Sequence, residues 1–151
     1  MKHIYLAALL LWSAINAMAG VELTAPHPQE DAWYGYYVSA SGNTLAVINN
    51  ADPGTSVVYV YQPATKNWNT ARLVAQLHAS DGAPFQSVAV YGNVILTGAP
   101  SDDVVYGFIE PDTGWGNSSE SFTLTPSNGA GSSFGASVAF SNKTVVVRAS
   151  C

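Results

Sequence analysis

Ser133-Phe134-Gly135-Ala136-Ser137-Val138-Ala139-Phe140-Ser141-Asn142-Lys143-Thr144-Val145-Val146-Val147 is the third writing of one phrase. Ser87-Val88-Ala89-Val90-Tyr91-Gly92-Asn93-Val94-Ile95-Leu96 stands 50 residues upstream. Tyr37-Val38-Ser39-Ala40-Ser41-Gly42-Asn43-Thr44-Leu45-Ala46-Val47 stands 50 before that. Self-similarity at a period of about 20–50 residues marks a repeat architecture. Within the phrase, two short apolar strands flank a turn, and Gly42, Gly92 and Asn142 fall at the same turn position. Glycine and asparagine tolerate the left-handed backbone region best, so one shared backbone demand accounts for all three.

Working outward, repeat one is expected to begin near Trp33, with strands at about 36–40 and 44–48. A polar loop, 49–56, leads to the β-branched and aromatic strand Val57-Val58-Tyr59-Val60-Tyr61. A turn over 63–67, Trp68 and a fourth strand at 71–78 complete the unit. Repeat two gives the same order: Val104-Val105-Tyr106-Gly107-Phe108, a turn over 111–114, Trp115 and a strand at 121–125. Over this half the offset is 47, matching Trp68 with Trp115, Leu77 with Leu124, Gly82 with Gly129, and Asn67 with Gly114. Asn67 and Gly114 are therefore expected to form a second left-handed pair. Each unit is four short strands with turn signals about every 8–12 residues, the pattern of propeller blades. The predicted fold is all-β: consecutive four-stranded antiparallel blades of an incomplete β-propeller. The tryptophans are read as packing between neighbouring sheets.

The division along the chain follows. Residues 1–19 read as a secretory signal, with Lys2 as the positive n-region, an apolar run from Ile4 to Ile15, and Ala17-Met18-Ala19 as the cleavage site. Residues 20–32 are an extended lead-in carrying Pro26, His27 and Pro28; 33–82 and 83–132 are the two repeats; 133–151 begin a third. The apolar run is short for a membrane span. The expected product is exported, secreted or periplasmic, with no span left after cleavage.

Of 151 residues, 48% are hydrophobic and 10% charged, with a formal net charge of −5. That composition favours a packed β protein over disorder. It also lacks the basic patch that nucleic-acid binding requires. The single cysteine, Cys151, permits no intrachain disulfide.

The phrase Phe134-Gly135-Ala136-Ser137-Val138-Ala139-Phe140-Ser141 resembles the opening of the FG-GAP repeat of integrin α-chain propellers and many exported bacterial proteins. Gly98-Ala99-Pro100 resembles its second half, and Val58-Tyr59-Val60-Tyr61 and Val105-Tyr106-Gly107-Phe108 resemble the strand that follows. Ala79-Ser80-Asp81-Gly82 looks like the linker between repeats. Each copy departs from the pattern somewhere: Ile48-Asn49 replaces Gly-Ala, Phe85 has no glycine after it, and the third copy ends Arg148-Ala149-Ser150. Asp112-Thr113-Gly114-Trp115 is similar to a quinoprotein-type propeller repeat, but occurs once.

The resemblance implies calcium in some members, held in the loop after the GAP position. Asn49, Asn50 and Asp52, with Pro53 and Gly54, form one equivalent loop, and Asp102 and Asp103 the other. Calcium takes six to eight oxygen ligands, and each loop offers few acids, so solvated turns are the favoured reading and no cofactor is expected. Neither His27 nor His78 has Ser/His/Asp or zinc-ligand spacing around it. Asn117-Ser118-Ser119 and Asn142-Lys143-Thr144 are glycosylation sequons in a eukaryotic secretory route.

Propellers close with about 4–8 blades, and this sequence supplies two units and the first hairpin of another. A fragment, an assembly from several chains, or an open array packed on a partner are the three explanations, the first being favoured. The leading functional expectation is a non-enzymatic exported module that binds a protein or glycan partner. A piece of a larger extracellular enzyme, and a truncated relic, are the alternatives.

Overall fold

The structure, a computed structural model, describes residues 21–26, 33–52, 55–127, 129 and 131–150. The signal segment, His27, Pro53, Gly54 and Cys151 lie outside the described residues.

The chain is all-β. Strands β1 (Val38–Ser41), β2 (Thr44–Asp52), β3 (Thr55–Pro63) and β4 (Ala71–Leu77) form one four-stranded sheet in sequence order. Strands β5 (Ser87–Tyr91), β6 (Val94–Ala99), β7 (Val104–Ile109) and β8 (Phe122–Leu124) form a second sheet in the same order. Strands β9 (Ser137–Ser141) and β10 (Thr144–Arg148) pair as a hairpin. Every named pairing is antiparallel, and neither four-stranded sheet closes into a barrel. This is an incomplete propeller-like arrangement, as the repeat pattern predicts. The first strands stand side by side, β1 beside β5 and β5 beside β9.

Why the sheets stack follows from alternation. In β2 and β3, Ala46, Ile48, Val58 and Val60 face the second sheet and meet Phe85, Ile95, Tyr106 and Phe108 there. The other face of the second sheet carries Ala89, Leu96 and Val105, which pack with Val138 and the half-buried Phe134, Phe140 and Val147. Among the described residues, fifteen buried ones form the first junction and four the second. At about 1.5–3 kcal/mol for each fully buried large apolar side chain, the β9–β10 hairpin is held far more weakly than the sheets hold each other.

The outer face of the first sheet is covered as well. Val47, Tyr59 and Tyr61 are buried there beneath Leu23 of the lead-in and Tyr34. The Tyr34 hydroxyl donates to the Tyr61 hydroxyl at 2.8 Å, which donates to the Thr24 carbonyl at 3.3 Å. Residues expected only to lead in thus cap the array, which repeat units with one exposed apolar face require. The β4 edge is covered from the next unit: Ser118 bridges Leu77 in parallel, and the Asn117 side-chain oxygen accepts from the Gln76 N–H at 2.8 Å.

Three local readings are corrected. The expected loop over 49–56 is mostly strand, because β2 runs to Asp52 and pairs it with Thr55, with a register shift after Asn49. Asn67 does not share the left-handed state of Gly114 (φ 89): at φ −109 it caps a single 3-10 turn, Trp68–Thr70, its side chain accepting from the Asn69 N–H at 3.0 Å. Trp115 packs between sheets as expected, but Trp33 is 58% exposed, its ring tilted against that of Tyr36.

Candidate functional site

Each repeat opens with the same clasp. The amide N–H groups of Gly35, Gln86 and Gly135 donate to the carbonyls of Ile48 (3.3 Å), Gly98 (2.7 Å) and Arg148 (3.1 Å). The acceptors are spaced by 50 residues, and Gly35 and Gly135 are equivalent donors; in the second repeat the donor is Gln86, one position further on, so the same carbonyl is held in all three repeats by a shifted amide in the second. The clasp fixes where each first strand begins: beside the far end of its second strand, as antiparallel pairing demands.

Because β1, β5 and β9 stand in a row, their three beginnings meet. They line an open cleft of about 310 Å³, formed by Tyr36, Tyr37 and Val38, then Gln86, Ser87 and Val88, then Ala136, Ser137 and Val138. These triplets are spaced by 50 residues, so one repeat position is presented three times around one opening. Tyr36 is 65% exposed; its ring sits 4.8 Å from that of Tyr37, edge-on, and 5.2 Å from that of Trp33, tilted by 59°. Gln86 and Ser137 are exposed, whereas Ser87 is buried and donates to the Gly135 carbonyl at 2.7 Å. Among the described residues, no side chain lining the cleft carries a formal charge.

Two equivalent devices hold the segments that enter the cleft. Ser56 and Asp103 are 47 residues apart, the offset of the second half of the repeat. The Ser56 hydroxyl accepts the Phe85 N–H at 2.8 Å and donates to the Asn50 oxygen, and the Asn50 amide donates to the Phe85 carbonyl at 3.1 Å. The Asp103 carboxylate accepts the Phe134 N–H at 2.8 Å, together with the Gly131 N–H and, at 3.5 Å, the Ser132 hydroxyl. The Gly131 amide and then the Phe134 amide hold the Asp103 carboxyl below the usual carboxylate range.

The five calcium candidates are not gathered into one set. Asn49 is buried, with its side-chain oxygen unpartnered among the described residues. Asn50 belongs to the junction of the first two sheets, and Asp52 lies in β2. Asp102 is exposed in a turn; Asp103 faces the junction of the second sheet with the hairpin. Among the described residues, no group of three or more His, Cys, Asp or Glu side chains converges as for a metal ion. His78 is exposed, while nearby Asp81 accepts from the Tyr106 hydroxyl at 2.7 Å and the Ala83 N–H at 3.1 Å. That hydroxyl lowers the Asp81 carboxyl.

Sequence reading did not find the cleft, although its signal was present: 36–38, 86–88 and 136–138 are the alignment columns just at the start of the repeated phrase. No protein-family model, no curated protein and no solved structure matches the chain.

Proposed function

We propose that this chain is an exported, non-enzymatic module of the FG-GAP, integrin-α-like propeller type, which binds a protein or glycan partner in the cleft where its repeats begin. The observation that carries this reading is the cleft itself, where three copies of one repeat position converge. Concave sites with a few placed polar groups, at the meeting of structural units, are where ligands bind. Export rests on residues 1–19, and the family on the Phe134-Gly135 and Gly98-Ala99-Pro100 phrases. The packing of Gly98 against Gly135 supports the second, because it gives both halves of that phrase one physical task.

The test is a paired screen of the full chain against a panel of extracellular-matrix proteins and an oligosaccharide array. Ser137→Trp, which fills the cleft from an exposed position, serves as the control. Binding that the wild type shows and Ser137→Trp loses supports the reading. A folded chain with no cleft-dependent binding on either panel overturns it.

A further inference from the structure

We infer that the cleft takes a neutral saccharide, with Trp33 and Tyr36 as its stacking platform; this rests on the binding-module reading above. The first argument is charge. Tyr36, Tyr37, Val38, Gln86, Ser87, Val88, Ala136, Ser137 and Val138 include no Lys, Arg, Asp, Glu or His. Among these described residues a phosphate, a sulfated or sialylated glycan, or an acidic peptide would find no countercharge, and charge-assisted hydrogen bonds are what such ligands are recognised by.

The second argument is the aromatic pair. Trp33 and Tyr36 are 58% and 65% exposed, with rings 5.2 Å apart, and Tyr36 lines the cleft. Large aromatics are normally buried for the apolar area they contribute, so two left open and in contact form a ready surface for an amphipathic ligand. A pyranose is such a ligand, with an axial C–H face that lies on an aromatic ring and a rim of hydroxyls. The Gln86 amide both donates and accepts, as does the Ser137 hydroxyl, and both are exposed at the cleft. Sugar hydroxyls need that dual capacity.

The third argument is size. The cleft, about 310 Å³, lies at the small end of ligand sites, about 300–1,000 Å³. Its nine lining residues are far fewer than the roughly 20–30 a side of a stable protein interface. A short saccharide fits these dimensions better than a folded partner.

The experiment is an array of neutral oligosaccharides of glucose, galactose, mannose and N-acetylglucosamine, with sialylated and sulfated counterparts, probed by the full chain. Retained saccharides are then titrated by tryptophan fluorescence. Expected is retention of at least one neutral saccharide, with a change in emission on saturation. Trp33→Ala and Tyr36→Ala should each weaken binding at least about thirtyfold, the size of a hot-spot loss. Tyr36→Leu, which stays apolar but loses the ring, should behave like Tyr36→Ala, with circular dichroism melts matching wild type. No neutral saccharide retained, stronger retention of charged ones, or aromatic variants that bind as wild type would overturn the inference. Cleft-dependent capture on the protein panel without saccharide retention overturns the sugar and leaves the module reading standing. Loss of cleft-dependent binding on both panels overturns the two together.

Discussion

Gly98 lies directly beneath Gly135, so closely that a Cβ on Gly98 would fall on the Gly135 carbonyl. A Cβ on Gly135 would in turn stand 3.0 Å from the Gly98 Cα, and Gly135 is at φ +95. The neighbour at Gly98 is backbone, which cannot step aside. Gly107 is equally crowded, but by the ring of Phe122, which is partly exposed and free to swing out. Gly98→Ala should therefore cost about 3 kcal/mol or more and Gly107→Ala about 1 kcal/mol, the two ends of the overpacking range. Urea unfolding of the two variants checks this; equal losses would mean that the sheet and hairpin do not pack as tightly as described.

Asp103 ties the hairpin to the second sheet through the Gly131 and Phe134 amides. Its carboxyl is held low in the folded state, so its stabilisation is present above the unfolded value of about 3.9 and is lost as pH falls through the lower folded one. Asp103→Asn keeps the shape and tolerates the positive φ of 54 at that position. The variant should melt several degrees below wild type at pH 7, and the two should converge at the acid end. Thermal melts between about pH 2 and 7 read the difference.

The cap on the first sheet has the opposite pH signature. Burial, and then the hydrogen bond with Tyr61, push the Tyr34 hydroxyl well above its usual range. Burial, and then Asp81, do the same for Tyr106. A raised folded value means stabilisation that is complete below the unfolded value of about 10 and is lost as pH rises through the folded one. Phenolate absorbance from these residues should appear only with alkaline unfolding. Tyr34→Phe and Tyr106→Phe should each remove part of that coincident step; because exposed tyrosines such as Tyr36 also absorb, the measurement is the wild-type-minus-variant difference, and a difference that grows before the chain unfolds would contradict the placement of the substituted ring.

How much was legible depended on range. Strand order, the two sheets and the turns at Gly42, Gly92 and Asn142 are written locally, in alternation and turn residues, and reading them needed only the repeat. The cap was hidden because Leu23 and Tyr34 reach Tyr61 across a segment without periodicity. Asn67 misled because its alignment with Gly114 suggested a shared backbone state, while its side chain was free to cap a 3-10 turn instead. The cleft was hidden for a different reason: its walls are adjacent only after three sheets pack, and no single repeat contains it. Asp103 read as a solvated turn residue because the amides it accepts lie about 30 residues on, Gly131 at the end of its own repeat and Phe134 in the next.

The turn between β9 and β10 offers the last prediction. At the first two hairpins only the first central residue, Gly42 (φ 58) or Gly92 (φ 59), is left-handed, the pattern of a II′ turn. At the third, Asn142 (φ 45) and Lys143 (φ 66) are both left-handed, as in a I′ turn. Asparagine tolerates that state; a lysine held there costs about 1–2 kcal/mol. Lys143→Gly produces the favoured Asn-Gly pair and should stabilise the hairpin by about 1 kcal/mol, allowing for the extra freedom glycine brings to the unfolded chain. Asn43→Gly should give no such gain, because Asn43 already has negative φ. Since the hairpin rests on the smaller of the two junctions, its local opening is the measurement to make. Amide exchange over β10 should slow in Lys143→Gly while exchange over β2 and β3 stays unchanged, and slowing throughout would mean that the hairpin opens only with the whole array.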